Sequence, residues 1–135
     1  MPDNKNIFVK KKILIYGLGK SGSSSYLFLR KNNDVYLYDD NKNIIKNKKI
    51  KKLLIKSNYI NNINIDFIVV SPGINIKKCH LKNFLKKNSK KIITDLDVFY
   101  SHYSKNKNIT ITGTNGKSTT AKILFDVLKN QKTIY

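Results

Sequence analysis

The sequence predicts an α/β chain: an open parallel sheet covered by helices, then the first strand, phosphate loop and helix of a second, incomplete unit. Three observations predict it. Short apolar runs alternate with polar stretches of helical spacing. A Gly-x-Gly-x-x-Gly, Gly17-Leu-Gly-Lys-Ser-Gly22, joins the first apolar run to the first helical stretch. A second glycine loop, Gly113-Thr-Asn-Gly-Lys-Ser-Thr119, stands at another strand-to-helix switch.

The elements follow in order. Lys11 to Tyr16 is a short apolar run ending at glycine and reads as a buried parallel strand. The helix opened by the glycine turn should run to about Asn32, with Tyr26, Leu27 and Leu29 available to pack on the sheet. Val35 to Tyr38 is the second strand. Asp39 ends it, 20 positions after Gly19, where a dinucleotide fold places the acid that bonds a ribose. The glycines by themselves are also consistent with close helix–strand packing and no ligand. Asn41 to Lys52 is polar and allows one short helix, Leu53 to Lys56 a third strand, and Asn58 to Asn64 a loop. Asp66 to Ser71 is the clearest buried strand, broken by Pro72-Gly73. Lys77 to Asn88 places Leu81, Phe84 and Leu85 on one helix face. Lys91 to Thr94 is a further strand, and Asp95 is positioned to cap a short helix. Ser104 to Asn108 reads as a linker.

The second loop is written to grip phosphate. A β-rich run, Ile109 to Thr112, stops at Gly113. A helix runs from Lys117 to about Asn130, with Ile123, Leu124, Val127 and Leu128 as its apolar face, and Lys132 to Tyr135 starts another strand. Backbone N–H groups of Asn115, Gly116 and Lys117 would face the anion at the positive end of the helix. Lys117 would reach the outer phosphates of a nucleotide and the Ser118 hydroxyl would ligate Mg²⁺. The loop is shorter than the general phosphate-loop pattern, which wants glycine where Ile111 stands. A plain strand–turn–helix is the bland alternative. The acid that helps hold Mg²⁺ is expected from strands beyond Thr119, so the chain reads as one Rossmann-like domain (1–94) and the start of a second (95–135).

Composition bounds the class. The formal net charge of +19 invites a nucleic-acid reading, yet Arg30 is the only arginine. Arginine is the residue best suited to reading guanine edges. Lys, Asn, Ile, Tyr and Phe share A/T-rich codons, so biased base composition accounts for the charge without a specific nucleic-acid partner. Cys79 is the only cysteine, which excludes an internal disulfide and fits a reducing, cytoplasmic setting. It reads as a half-buried helix residue. His80 and His102 lack a ligand pattern and read as surface residues rather than metal ligands. No apolar run approaches the ~18 residues of a membrane span, and no secretory signal opens the chain.

Taken together, Gly17-Leu-Gly-Lys-Ser-Gly22, Asp39, Ser71-Pro-Gly-Ile74, Asp95-Leu-Asp-Val-Phe99 and Gly113-Thr-Asn-Gly-Lys-Ser-Thr119 resemble the Mur ligases in order and spacing. The glycine fingerprint followed by Ser-Pro-Gly-Ile is similar to the D-glutamate-adding branch. The resemblance covers nearly the whole chain but only the N-terminal third or so of a three-domain enzyme. It implies a Rossmann-like domain for the UDP end of a nucleotide sugar, with Gly19, Lys20, Ser21, Asp39, Ser71 and Gly73 as the contacts. It implies ATP held by Gly113, Thr114, Asn115, Gly116, Lys117, Ser118 and Thr119, with Lys117 and Ser118 catalytic and Ser118 on Mg²⁺. The implied reaction is ATP-dependent addition of D-glutamate to UDP-N-acetylmuramoyl-L-alanine through an acyl phosphate, for cell-wall peptidoglycan, by a cytoplasmic monomer. The 135 residues alone would be inactive. Asp40 and Asn41 depart from the family, which often carries a basic or hydroxyl residue there. Three other readings stay open: an NAD(P)-type dinucleotide module, a related ligase of the Mur or folylpolyglutamate synthase kind, and a basic nucleic-acid binder.

Overall fold

Alternation along β1 (Lys12–Tyr16) builds the core, because successive side chains of a strand point to opposite faces. Ile13 and Ile15 pack on one face with Leu18, Tyr26, Leu29, Leu37, Val69 and Val98. Leu14 and Tyr16 pack on the other with Tyr38, Ile60, Ile68, Val70, Leu81 and Leu85. A strand buried on both faces must be central. β1 accordingly pairs in parallel with β2 (Asp34–Tyr38) on one side and β3 (Phe67–Val70) on the other. The short β4 (Ile92–Ile93) joins β3, giving the order β2-β1-β3-β4. The computed structural model describes residues 7–41, 43, 48–103 and 107–129.

The helices are α1 (Lys20–Leu29), α2 (Lys48–Lys52), α3 (Ser57–Ile60), α4 (Lys82–Lys87), α5 (Asp95–His102) and α6 (Lys117–Leu128). Through Tyr26, Leu29, Ile50 and Val98, helices α1, α2 and α5 cover one sheet face; through Ile60 and Leu85, α3 and α4 cover the other. The chain divides into two compact units, 1–104 and 105–135. The first holds the sheet and the helices through α5. Among the described residues, the second holds α6 and the loop before it.

Several local expectations are corrected. Helix α1 stops at Leu29 rather than Asn32, where the Asn33 amide donates to Leu29 O at 2.9 Å. Tyr26 and Leu29 pack inward, but Leu27 is 51% exposed. A step of about 100° per residue carries it off their face. Leu53 to Lys56 makes one bridge, Leu54 to Leu37, and then turns into α3, inside the stretch expected as loop. Of the helix allowed in 41–52, only Lys48–Lys52 forms among the described residues. Helix α4 begins at Lys82, not Lys77. The Asn75 side chain takes Lys77 N at 3.1 Å, and turns occupy the residues up to Leu81. Buried Cys79 lies in those turns and not in a helix.

Thr94, not Asp95, caps α5. Its hydroxyl accepts from Asp97 N at 3.2 Å and the Asp97 carboxylate accepts from Thr94 N at 2.7 Å, a reciprocal capping box. No strand forms over Ile109 to Thr112. A strand exists only by pairing, and among the described residues nothing pairs with this run. On α6, Ile123 and Val127 of the expected apolar face are exposed, and Leu124 and Leu128 are half-buried. The strand expected over Lys132 to Tyr135, and Ser104 to Asn106 of the linker, lie outside the described residues.

Candidate functional site

The register brings three strand ends to one edge. Tyr16 lies opposite Tyr38 on one side and Val70 on the other. The residues that leave the sheet there are Gly17, Asp39 and Ser71. The chain reverses direction between β1 and β3, since β2 lies to one side of β1 and β3 to the other. Such a switch point opens a crevice at the carboxyl ends of the strands.

The four glycines of this edge divide into two kinds. Gly17 has φ +91, and a Cβ there would lie 2.9 Å from Ile74 and Ser71 side-chain carbons. At Gly22 a Cβ would lie 1.8 Å from Gly17 O. Packing demands both. Gly19 and Gly73 are different: a Cβ on either meets nothing within 4 Å, and neither has positive φ. Both are exposed at the crevice.

The polar residues of the turn are tied to one another. Asp39 is 7% exposed; it accepts from Leu18 N at 2.6 Å and from Asn41 N at 2.8 Å. Its carboxylate therefore fixes the glycine turn to the end of β2. The Ser71 hydroxyl donates to Gly17 O at 2.6 Å, and Ile74 N closes a turn on Ser71 O at 3.0 Å. The Ser21 hydroxyl donates to the Asp95 carboxylate. Lys20, at the exposed start of α1, has no carboxylate partner among the described residues. The structure thus brings Gly19, Lys20, Ser21, Asp39, Ser71 and Gly73 to one edge. It occupies Asp39, Ser71 and Ser21 with internal bonds and leaves Lys20 and the two open glycines facing out. No side chain caps the first turn of α1. A partly positive, glycine-floored edge of this kind can hold an anion against backbone.

A second cluster beside this edge has no motif to announce it. The Tyr16 phenol donates to Asp40 Oδ2 at 2.7 Å, and His80 Nδ1 lies 3.3 Å from Asp40 Oδ1. Burial holds the Tyr16 phenol far above the ordinary tyrosine range, and its bonds to Asp40 and Cys79 push the same way. Tyr38, stacked edge-on to Tyr16 at 5.2 Å, is raised by burial and then by Asp40. The only sequence signal was Asp40 itself, an unexpected second acid. His102 stacks on Phe28 at 4.9 Å. No group of three or more His, Cys, Asp or Glu that could hold a metal occurs among the described residues.

The second glycine loop is built differently. Gly113 has φ +150 and Gly116 has φ +76; Gly116 caps α6 in the left-handed region. The Lys117 ammonium folds back onto Gly113 O and onto Thr114 O at 3.4 Å. Thr114, Asn115, Ser118 and Thr119 are exposed, and no side chain caps α6. Uncapped first-turn N–H groups with a lysine and a hydroxyl beside them are a donor set that suits a nucleotide's phosphates.

The family model described as Mur ligase MurD-like, N-terminal domain, matches residues 11–94. Among curated proteins, UDP-N-acetylmuramoylalanine–D-glutamate ligase from Rickettsia conorii is 35% identical over 133 residues, covering 96% of this chain and 26% of its own length. The protein of the same description from Rickettsia prowazekii is 36% identical, covering 96% of this chain and 30% of its own length. The chain therefore spans less than a third of the length of these relatives. A solved structure, UDP-D-quinovosamine 4-dehydrogenase from Vibrio fischeri, aligns at TM-score 0.44 and 22% identity over 64% of this chain and 78% of that one. That likeness is too slight to bear on function.

Proposed function

Because the chain belongs to the Mur ligase MurD-like N-terminal domain family, we propose that its sheet edge binds the UDP moiety of UDP-N-acetylmuramoyl-L-alanine. The observation that carries this is the pair of open glycines. Gly17 and Gly22 are demanded by φ or by packing, whereas Gly19 and Gly73 answer to neither. A glycine that the fold itself does not require suits close approach of a ligand to backbone. The diphosphate would lie between Gly19 and Gly73, with the Lys20 ammonium and the first N–H groups of α1 neutralising it. Asp39 and Ser71 would act by holding the turn, since their polar atoms already serve Leu18, Asn41 and Gly17.

In the same reading the second loop holds ATP. Lys117 would move from Gly113 O and Thr114 O to the outer phosphates, and Ser118 would ligate Mg²⁺, with Thr119 beside them. ATP supplies the phosphoryl group that makes a carboxylate reactive toward the amine of D-glutamate. This chain's residues would position and neutralise those phosphates. On this reading the 135 residues contribute the nucleotide grip of a ligation, within less than a third of the length of the relatives they match.

Titration of the ¹⁵N-labelled chain with UDP tests the first half. Shifts are expected at Gly17 to Gly22 and Ser71 to Ile74. Gly73→Ala should weaken UDP binding about tenfold by steric intrusion while changing stability by less than about 0.5 kcal/mol. Undisturbed resonances at Gly17 to Gly22 in millimolar UDP would sink the proposal. Shifts there with NADH but not UDP would turn the reading to a dinucleotide module.

A further inference from the structure

An acid at position 40 is out of place beside a diphosphate, because its charge would repel the ligand proposed for this edge. The structure ties that acid down. The Tyr16 side chain is fully buried at the end of the central strand, so its phenol needs an acceptor within the protein. Asp40 Oδ2 supplies it at 2.7 Å. The central strand thereby sets the direction of the carboxylate. The same carboxylate then takes residue 80 twice: His80 N–H donates to Oδ2 at 3.4 Å, and His80 Nδ1 lies 3.3 Å from Oδ1.

His80 matters for the segment it belongs to. Residues 72–81 lead from β3 to α4 and carry Gly73, one of the two open glycines. The start of the segment is fixed, since the Ser71 hydroxyl bonds Gly17 O and Ile74 packs over Gly17. Its turns then bond locally: Ile74 N to Ser71 O, and Lys78 N and Cys79 N both to Asn75 O. Buried Cys79 and Leu81 seat the far end on the core. Apolar contact is non-directional, and the bonds to Asp40 give that end a direction. The charged and titratable groups around the imidazole are Asp40 from the end of β2 and Lys87 of α4, which lines the same small hollow as His80. Tyr16, Tyr38 and Cys79 stand behind Asp40, and Lys78 and Lys82 flank His80 in the chain.

We infer that Asp40 is a positioning residue of the nucleotide edge: joined to Tyr16 and His80, it holds the 72–81 segment, and with it Gly73, in place for a diphosphate. This role rests on the UDP reading above, and it has a sign that charge alone does not. As a bare charge Asp40 would weaken UDP binding; as a clasp it supports it. The test is UDP titrated into the ¹⁵N-labelled 135-residue chain and its variants. Asp40→Ala should bind UDP about tenfold more weakly, with the shifts at Gly73 and Ile74 lost first. That variant strands the buried phenol, so Tyr16→Phe combined with Asp40→Ala is measured beside it. Removing both partners spares the core, and the same tenfold loss is expected. The His80 side chain is 73% exposed, so His80→Gln keeps the fold. It should bind UDP about threefold more weakly than the unaltered chain at pH 5.5 and equally at pH 8, because imidazole changes charge between them. Taking the ratio at each pH cancels the titration of UDP itself. Tighter or unchanged binding by the double variant, or a His80→Gln ratio that does not move with pH, would overturn the positioning role while leaving the UDP reading intact. An unaltered chain that shows no shifts at Gly17 to Gly22 would overturn both.

Discussion

The two glycine loops are alike on paper and opposite in build. Gly17 to Gly22 is clamped by its neighbours. Its backbone is held by Tyr38 O, Asp39 and Ser71, all distant in sequence. Gly113 to Thr119 is held by itself, with Lys117 bonded to carbonyls three and four residues back. The first loop is a product of the sheet; the second is a local turn before a helix. A pre-organised loop loses little freedom when an anion arrives, whereas a self-closed one must first release its lysine. The difference teaches that a motif states which groups are present but not whether they are already aimed.

The strongest way to break this contrast is Gly22→Ala. Its Cβ would meet Gly17 O at 1.8 Å, where backbone faces backbone and neither can yield cheaply. We expect at least about 3 kcal/mol of destabilisation, enough to lose the cooperative urea transition. An unchanged transition would show that the clamp is looser than its geometry. The alkaline limb of stability sharpens the contrast further. Tyr16 ends β1 beside the clamp, and its pKa is raised on folding, chiefly by burial. A raised folded value means stability is fully present below the ordinary tyrosine pKa and is lost as pH rises past about 10, by up to about 1.4 kcal/mol per pH unit. Tyr16→Phe should remove that part of the loss, visible in urea midpoints between wild type and variant across pH 9 to 11. The smallest effect belongs to the second loop. Gly116→Ala places a side chain at φ +76, costing about 1 kcal/mol, and it should lower the helicity of residues 117–128 while leaving amide shifts around Gly17 in place.

Much of this was legible. β1, β2 and β3 were readable because apolar runs ending at Gly17, Asp39 and Ser71 have no other economical use than buried strands. Asp39 was found by spacing, but its partner was not. Spacing predicts that an acid reaches the turn, not that its carboxylate accepts from Leu18 N there. Thr94 was passed over for Asp95 because either can cap, and only the reciprocal bond with Asp97 decides. The strand at Ile109 to Thr112 was misread from propensity, which cannot supply a pairing partner. The pocket lined by Ser25 and Phe28 of α1 and Val98 and Phe99 of α5 was invisible, because those residues are brought together only when α1 and α5 cover the same sheet face.

What the sequence determined alone is periodic and local: which faces of β1 are buried, where glycine turns open α1 and α6, and which donors each loop carries. Periodicity survives in any arrangement, because covalent geometry sets it. The tertiary structure decided which of those donors remain free. It made Gly22 a packing glycine and Gly19 an open one, and turned Asp39 and Ser71 onto the glycine turn. Those outcomes depend on distances of a few ångströms between strands far apart in the chain, and a hydrogen bond is decided at that scale.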